Sequence, residues 1–285
     1  AASALGFALA SGDGRTVLVT GGNKGIGRAL CRQLVAEQGF QVLLGSRDEA
    51  RGTEAVDAIV AQHPEAKGRI EALVLDVSDD ASVSAAAAKV AQKFGTDPAP
   101  LYAVVNNAGI LDRGAMAACL NVNLHGTRRV CEAFLPLLDR QEGRVVNTAS
   151  AAGPIFVSGA GASEQDLLTD RDITWDRLEE YMKALVERPG GRDAYGASKA
   201  CVNSYTMLLA REHPNLKVNA ITPGYILTDM TRNAGATKSP EEGTKAALYC
   251  LMGELEGNGR YYGSDAVRSP LDRYRGPGDP SYAGP

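Results

Sequence analysis

The sequence predicts an α/β fold, and three observations carry the prediction. Short β-branched apolar runs alternate with stretches of helical periodicity along most of the 285 residues, as a parallel sheet covered by helices requires. The first such run leads into a glycine-rich turn and then a helix. The composition, 44% hydrophobic and 22% charged, is enough to build one substantial core.

Taken in order, Thr16 to Thr20 is the first strand, and Gly21-Gly22-Asn23-Lys24-Gly25-Ile26-Gly27 is the turn before a helix over Arg28 to Gln38. Glycines let the backbone turn tightly and approach a pyrophosphate, whose charge then sits at a helix N-terminus. Gln41 to Leu44 is the second strand, ending in Gly45-Ser46-Arg47. An acid at this strand end would hold ribose hydroxyls, whereas Arg47 suits a 2′-phosphate. Lys24 is a second cation in reach, so NADP(H) is favoured over NAD(H); the competing reading of each is a solvated surface charge.

A helix runs to about His63, and Ile70 to Leu75 is the third strand. Asp76, followed by Val77, is read both as an acceptor for an adenine amino group and as the cap of the next helix, Ala81 to Phe94. Leu101 to Val105 is the fourth strand, delivering Asn106-Asn107-Ala108-Gly109 to the crevice where open α/β sheets bind ligands. A helix from about Met116 to Leu138 carries Asn121 and Asn123, residues that cost helix propensity. Gly143 to Ser150 is the fifth strand, with a hydroxyl at its end that could hold a carbonyl oxygen beside a tyrosine. Tyr195-Gly196-Ala197-Ser198-Lys199 then opens a long helix, with the phenol and the ammonium four residues apart on one face. Alone, that pair reads equally as two surface residues. Leu216 to Ile221, Pro240 to Leu255 and Arg260 to Tyr262 give a sixth strand, a helix and a seventh strand, with Tyr225 to Ser239 as a lid.

Charge and cysteine usage exclude other classes. A net charge of −4 without a basic run argues against a nucleic-acid surface. Five scattered cysteines and three separated histidines form no metal-binding pattern. No apolar run reaches the roughly 18 residues of a membrane span. Residues 1–14 read as an N-terminal extension, too weak for a signal peptide. The expected compartment is the cytoplasm, or an organelle if that extension is a processed targeting remnant.

Gly21-x-x-x-Gly25-x-Gly27, Asn106-Asn107-Ala108-Gly109, Asn123, Ser150, Tyr195-x-x-x-Lys199 and Pro223-Gly224 occur in an order that resembles the short-chain dehydrogenase/reductase family, over about Arg15 to Tyr262. The glycine loop with Ser46-Arg47 is most similar to its NADPH-dependent carbonyl reductases. The resemblance implies a single-domain, Rossmann-like doubly wound parallel sheet of about seven strands. It implies that Tyr195 exchanges the proton, that Lys199 holds the nicotinamide ribose and lowers the tyrosine pKa, that Ser150 orients the carbonyl, and that Asn123, in preference to Asn121, holds a relay water. Gly21, Asn23, Lys24, Gly25, Ile26, Gly27, Arg47, Asp76, Val77, Asn107, Ala108, Gly109, Tyr195, Lys199, Pro223, Gly224, Ile226 and Thr228 are the implied cofactor residues, with no metal.

The implied reaction is reduction of a ketone, aldehyde or quinone by NADPH. The alternatives are oxidation of a defined secondary alcohol of sterol, terpenoid or alkaloid type, and a dinucleotide-binding sensor without turnover.

Between Ser150 and Tyr195 lie 44 residues, far more than a strand-to-helix connection needs. This insertion, about 151–192 of a domain spanning 15–268, contains an amphipathic helix beginning at Thr174-Trp175. In the family branch it resembles, such a segment covers the faces used for tetramers, which implies a monomer. Residues 269–285 read as an extended tail that also edges the substrate pocket. That pocket is expected to be lined by residues after Asn107, after Ser150, in the insertion and in 225–239.

Overall fold

A computed structural model describes residues 12, 14–187, 191–231, 235–255 and 257–284. Most of the expected N-terminal extension, positions 188–190 of the insertion and positions 232–234 of the lid lie outside these residues.

The strands β1 (Thr16–Val19), β2 (Gln41–Ser46), β3 (Ile70–Val74), β4 (Leu101–Asn106), β5 (Arg144–Thr148), β6 (Lys217–Ile221), β7 (Tyr261–Tyr262) and β8 (Arg268–Ser269) form one sheet in the order β3-β2-β1-β4-β5-β6-β7-β8. All neighbouring pairs are parallel except β7 with β8. The seven expected strands are therefore joined by a two-residue antiparallel eighth, too short for a periodicity to be read.

Successive residues of each strand feed opposite cores, as the period of two demands. Leu18, Val104 and Val145 face one apolar cluster; Val17, Val19, Val105 and Val146 face the other. The second cluster is completed by α1 (Gly25–Ala36), α2 (Glu49–Gln62) and, late in the chain, α10 (Lys245–Met252). On the first side lie α3 (Asp80–Phe94), α4 (Met116–Cys119), α5 (Gly126–Phe134) and α9 (Ala194–Glu212). A sheet buried on both faces is the doubly wound arrangement, and each fully buried Leu or Val contributes about 1.5–3 kcal/mol by leaving water.

The winding reverses between β1 and β4, which opens a crevice beyond their C-terminal ends. Thr20, one residue past β1, bridges it. Its hydroxyl accepts from the backbone N–H of Asn107 and of Ala108, both at 3.0 Å.

Three local readings are corrected. Asp76 does not cap α3: Asp79 does, accepting from the Ala81 N–H, while Asp76 binds the amide and hydroxyl of Ser78. The helix expected from Met116 to Leu138 is interrupted by a π-helical stretch, Leu120–His125, between α4 and α5. The late helix is shorter than Pro240 to Leu255, because a 3-10 turn, Glu242–Thr244, precedes α10.

The insertion folds as α6 (Ala152–Ser158), α7 (Ala162–Thr169) and α8 (Trp175–Glu187). Helix α6 lies hard against α9. A Cβ on Gly153 would stand 3.0 Å from the backbone of Lys199, and one on Gly196 3.1 Å from the Ala152 carbonyl oxygen. Helix α8 buries Leu178, Met182 and Leu185 at helical spacing. At its start, the Arg128 guanidinium stacks 3.7 Å from the Trp175 ring centroid, and His125 and Tyr205 meet the indole edge-on. Covered on one side by the sheet and on the other by the insertion, α9 is buried along nearly its whole length.

Candidate active site

Beyond the strand ends lies a cavity of about 1150 Å³. Every residue predicted for the site lines it except Asn123. At one end the glycine loop turns back on itself: Gly21 and Gly25 have φ of 63° and 52°, a region open mainly to glycine. At Gly27 a side chain has no room, since a Cβ would stand 2.4 Å from the Gly21 carbonyl oxygen and 2.5 Å from Asn107 Nδ2. The Asn107 amide meanwhile donates to the carbonyl of Thr20 at 2.9 Å. Lys24, at the cap position of α1, makes no capping hydrogen bond, so the helix N-terminus beside the cavity has no side-chain acceptor from that position.

Arg47, at the end of β2, is exposed on this wall. The acid next to it, Asp48, is used locally as the cap of α2, accepting from the Arg51 N–H at 2.9 Å. Asp76 is held below the usual carboxylate range: the Ser78 hydrogen bonds and the Arg47 charge outweigh its burial. Lys24 forms an ion pair at 3.3 Å with Asp229, both ends exposed, and Thr228 approaches Gly25. The segment after Pro223 thus leans on the glycine loop, and the buried Ile226 meets Gly243 at the spot where Ile26 of that loop also does.

Toward the other end, α9 and the β5 terminus bring Tyr195, Lys199 and Ser150 together. Ser150 lies two residues past β5; its Oγ accepts from the Ala152 N–H at 3.2 Å, and its hydroxyl hydrogen-bonds the Tyr195 phenol. The Lys199 Nζ donates to the Thr148 carbonyl at 2.6 Å and lies 5.8 Å from the Tyr195 ring centroid.

The pKa of Tyr195 is not lowered, as expected, but raised. Burial opposes the phenolate more than the Ser150 hydrogen bond favours it. Burial also pushes the Lys199 ammonium down to about 8. Asn123 sits behind this group. Its side chain accepts from the Ile110 N–H at 2.8 Å and donates to the Ile110 carbonyl at 3.0 Å and to Ser198 Oγ at 2.9 Å, so both amide hydrogens are used and the side chain can meet a water only as an acceptor. Asn121 is turned away and held by Arg129.

The pocket walls agree in part with expectation. Ile110, Leu111 and Arg113 follow Asn107; Ala151, Ala152 and Ile155 follow Ser150; Tyr225 to Thr231 come from the lid. Past Ile155 the insertion contributes nothing, because α7 and α8 lie behind α9 among the described residues. Tyr274, Arg275 and Pro277 of the tail complete the wall. They are clasped there by Arg275, which pairs with Asp265 at 2.6 Å and is nearly buried. That clasp has no local sequence signal.

A model of the short chain dehydrogenase family matches residues 15–163 and 183–239, leaving out most of α7 and the start of α8. The chain is 34% identical over 272 residues to (+)-neomenthol dehydrogenase of Arabidopsis thaliana, covering 82% of this chain and 90% of that protein. It is 33% identical over 261 residues to carbonyl reductase (NADPH) 3 of Mus musculus, covering 84% and 91%. Among solved structures, salutaridine reductase from Papaver somniferum superposes with a TM-score of 0.75 at 27% identity, over 87% of this chain and 99% of that one. No helix among the described residues is long and apolar enough to cross a membrane. With the sequence match spanning most of the chain and the sheet shared with a solved reductase, the chain belongs to the short chain dehydrogenase family.

Proposed function

We propose that the chain is an NADPH-dependent reductase of a lipophilic ketone, aldehyde or quinone. The observation that carries the reading is the grouping of Ser150, Tyr195 and Lys199 on the wall of one cavity whose far end offers Arg47, Lys24 and a glycine loop.

The residues fit the cofactor. The crowded Gly27 and uncapped α1 suit a pyrophosphate, and Arg47 without a free acid beside it suits a 2′-phosphate. Asp76 and Val77 suit the adenine, Asn107 to Gly109 the middle of the dinucleotide, and Pro223, Gly224, Ile226 and Thr228 the nicotinamide end. When bound, NADPH would supply the hydride.

The chain's own groups would then do the following. Ser150, its oxygen fixed by the Ala152 N–H, holds the carbonyl oxygen. Tyr195, kept protonated by burial, delivers its proton there. Lys199 binds the ribose and favours the phenolate that forms. Asn123, with both amide hydrogens used, would hold the relay water as an acceptor.

The substrate class rests on the exposed apolar side chains. Leu111, Ile155, Tyr225, Leu227, Met230 and Tyr274 are all exposed, and all line this cavity. Such a clustered apolar rim marks a binding surface. Residues 15–268 are read as one reductase domain with its insertion, followed by the tail, and the covered α5 and α9 faces support a monomer.

The test is NADPH consumption with a panel of carbonyl compounds, for the native chain and for Tyr195→Phe. A loss of roughly 100-fold or more is expected. Tight NADPH binding with no tyrosine-dependent turnover would favour a sensor.

A further inference from the structure

Arg113 lies in the loop after β4, on the cavity wall and close to the start of α9. Two bonds tie it to that start. Its Nη1 donates to Asp193 Oδ2 at 2.7 Å, and its carbonyl accepts from the Ala194 N–H at 3.1 Å. The next residue is Tyr195.

Asp193 occupies the cap position of α9, where an aspartate ordinarily accepts from the first-turn N–H groups. It makes no such bond. Its second oxygen, Oδ1, is buried and has no partner among the described residues, an arrangement that costs stability. Gly196 leaves the room for this carboxylate: a Cβ there would stand 2.8 Å from Oδ2. The cap is given up and the carboxylate turns to the Arg113 guanidinium instead, two residues before Tyr195.

We propose that Arg113 and Asp193 are positioning residues that seat the Tyr195 phenol and hold two opposed charges beside it in balance. The proposal rests on Tyr195 being the proton donor. The groups that act on the phenol are the Ser150 hydroxyl, by a hydrogen bond, and through space the Cys119 thiol, Arg113, Asp193 and Tyr261, with the Lys199 Nζ 5.8 Å from the ring centroid. Arg113 favours the phenolate and Asp193 opposes it. Removing one charge leaves the other uncompensated, so the two ends of the pair act on Tyr195 with opposite signs. A staple that only fastened loop to helix would move Tyr195 equally from either end.

The test is an alkaline absorbance titration of cofactor-free protein, with each variant compared against the same variant carrying Tyr195→Phe, so that one of the ten tyrosines is isolated. Arg113→Gln is expected to move the Tyr195 midpoint up, and Asp193→Asn to move it down. Arg113→Lys should restore the parent value. As a second readout, the pH profile of alcohol oxidation should shift in the same two directions, with kcat for Arg113→Gln falling roughly three- to tenfold near neutrality. Midpoints and profiles that stay fixed, or that move the same way in both variants, would overturn the proposal. Turnover indifferent to Tyr195→Phe would instead sink the proton-donor reading, and the titration would still report on the pair.

Discussion

The Lys199 ammonium donates to the Thr148 carbonyl at 2.6 Å, fastening α9 to the end of β5 with a charge that is only 4% exposed. Burial holds this amine at about 8, below the roughly 10.4 of a free lysine. Between these values the unfolded chain carries a proton that the folded chain has lost, so stability rises with pH across the window. Relative to Lys199→Met, the native chain should gain on the order of 2–3 kcal/mol from pH 8 to above 10. Denaturant unfolding at stepped pH checks this, and a relative loss over that window would refute it.

Gly27→Ala should leave the sheet intact and disable the cofactor end. The added Cβ meets backbone and the Asn107 amide at 2.4–2.5 Å, neither of which can yield, so a cost of about 1–3 kcal/mol is expected. Dinucleotide binding by calorimetry should fall below detection while far-ultraviolet circular dichroism is unchanged.

Arg47→Asp should weaken NADPH on the order of 100-fold through the lost phosphate contact, and leave NADH within a few fold. Equal losses for the two cofactors would remove the 2′-phosphate from Arg47.

Trp175→Ala should destabilise the chain by about 2–4 kcal/mol, since the indole joins α8 to Arg128, His125 and Tyr205. Sedimentation of the native chain should give a monomer, with the variant associating as the α5 and α9 faces are uncovered. A native tetramer would contradict the covering role of the insertion.

What the sequence made legible was local. The β-branched runs, the glycine spacing and the four-residue step from Tyr195 to Lys199 each lie within one element, and period and sterics write them there. Helix α6 was not legible because Gly153 and Pro154 argue against a helix. Proline is harmless in the first turn, and the glycine admits α9. The Arg113–Asp193 and Arg275–Asp265 pairs join loops through space, 80 and 10 residues apart, and no short-range pattern announces either. The fate of Asp76 turned on competition: Asp79 stands three residues on and is closer to the helix start.

The hydroxyl of Thr20, bonded to Asn107 and Ala108, closes the cofactor end across a sequence separation of 87 and 88 residues. In chain order the glycine loop, Arg47, Asp76 and this clasp all precede Gly109, whereas Tyr195 arrives only with α9, after the whole insertion, and the segment that leans on the glycine loop comes later still.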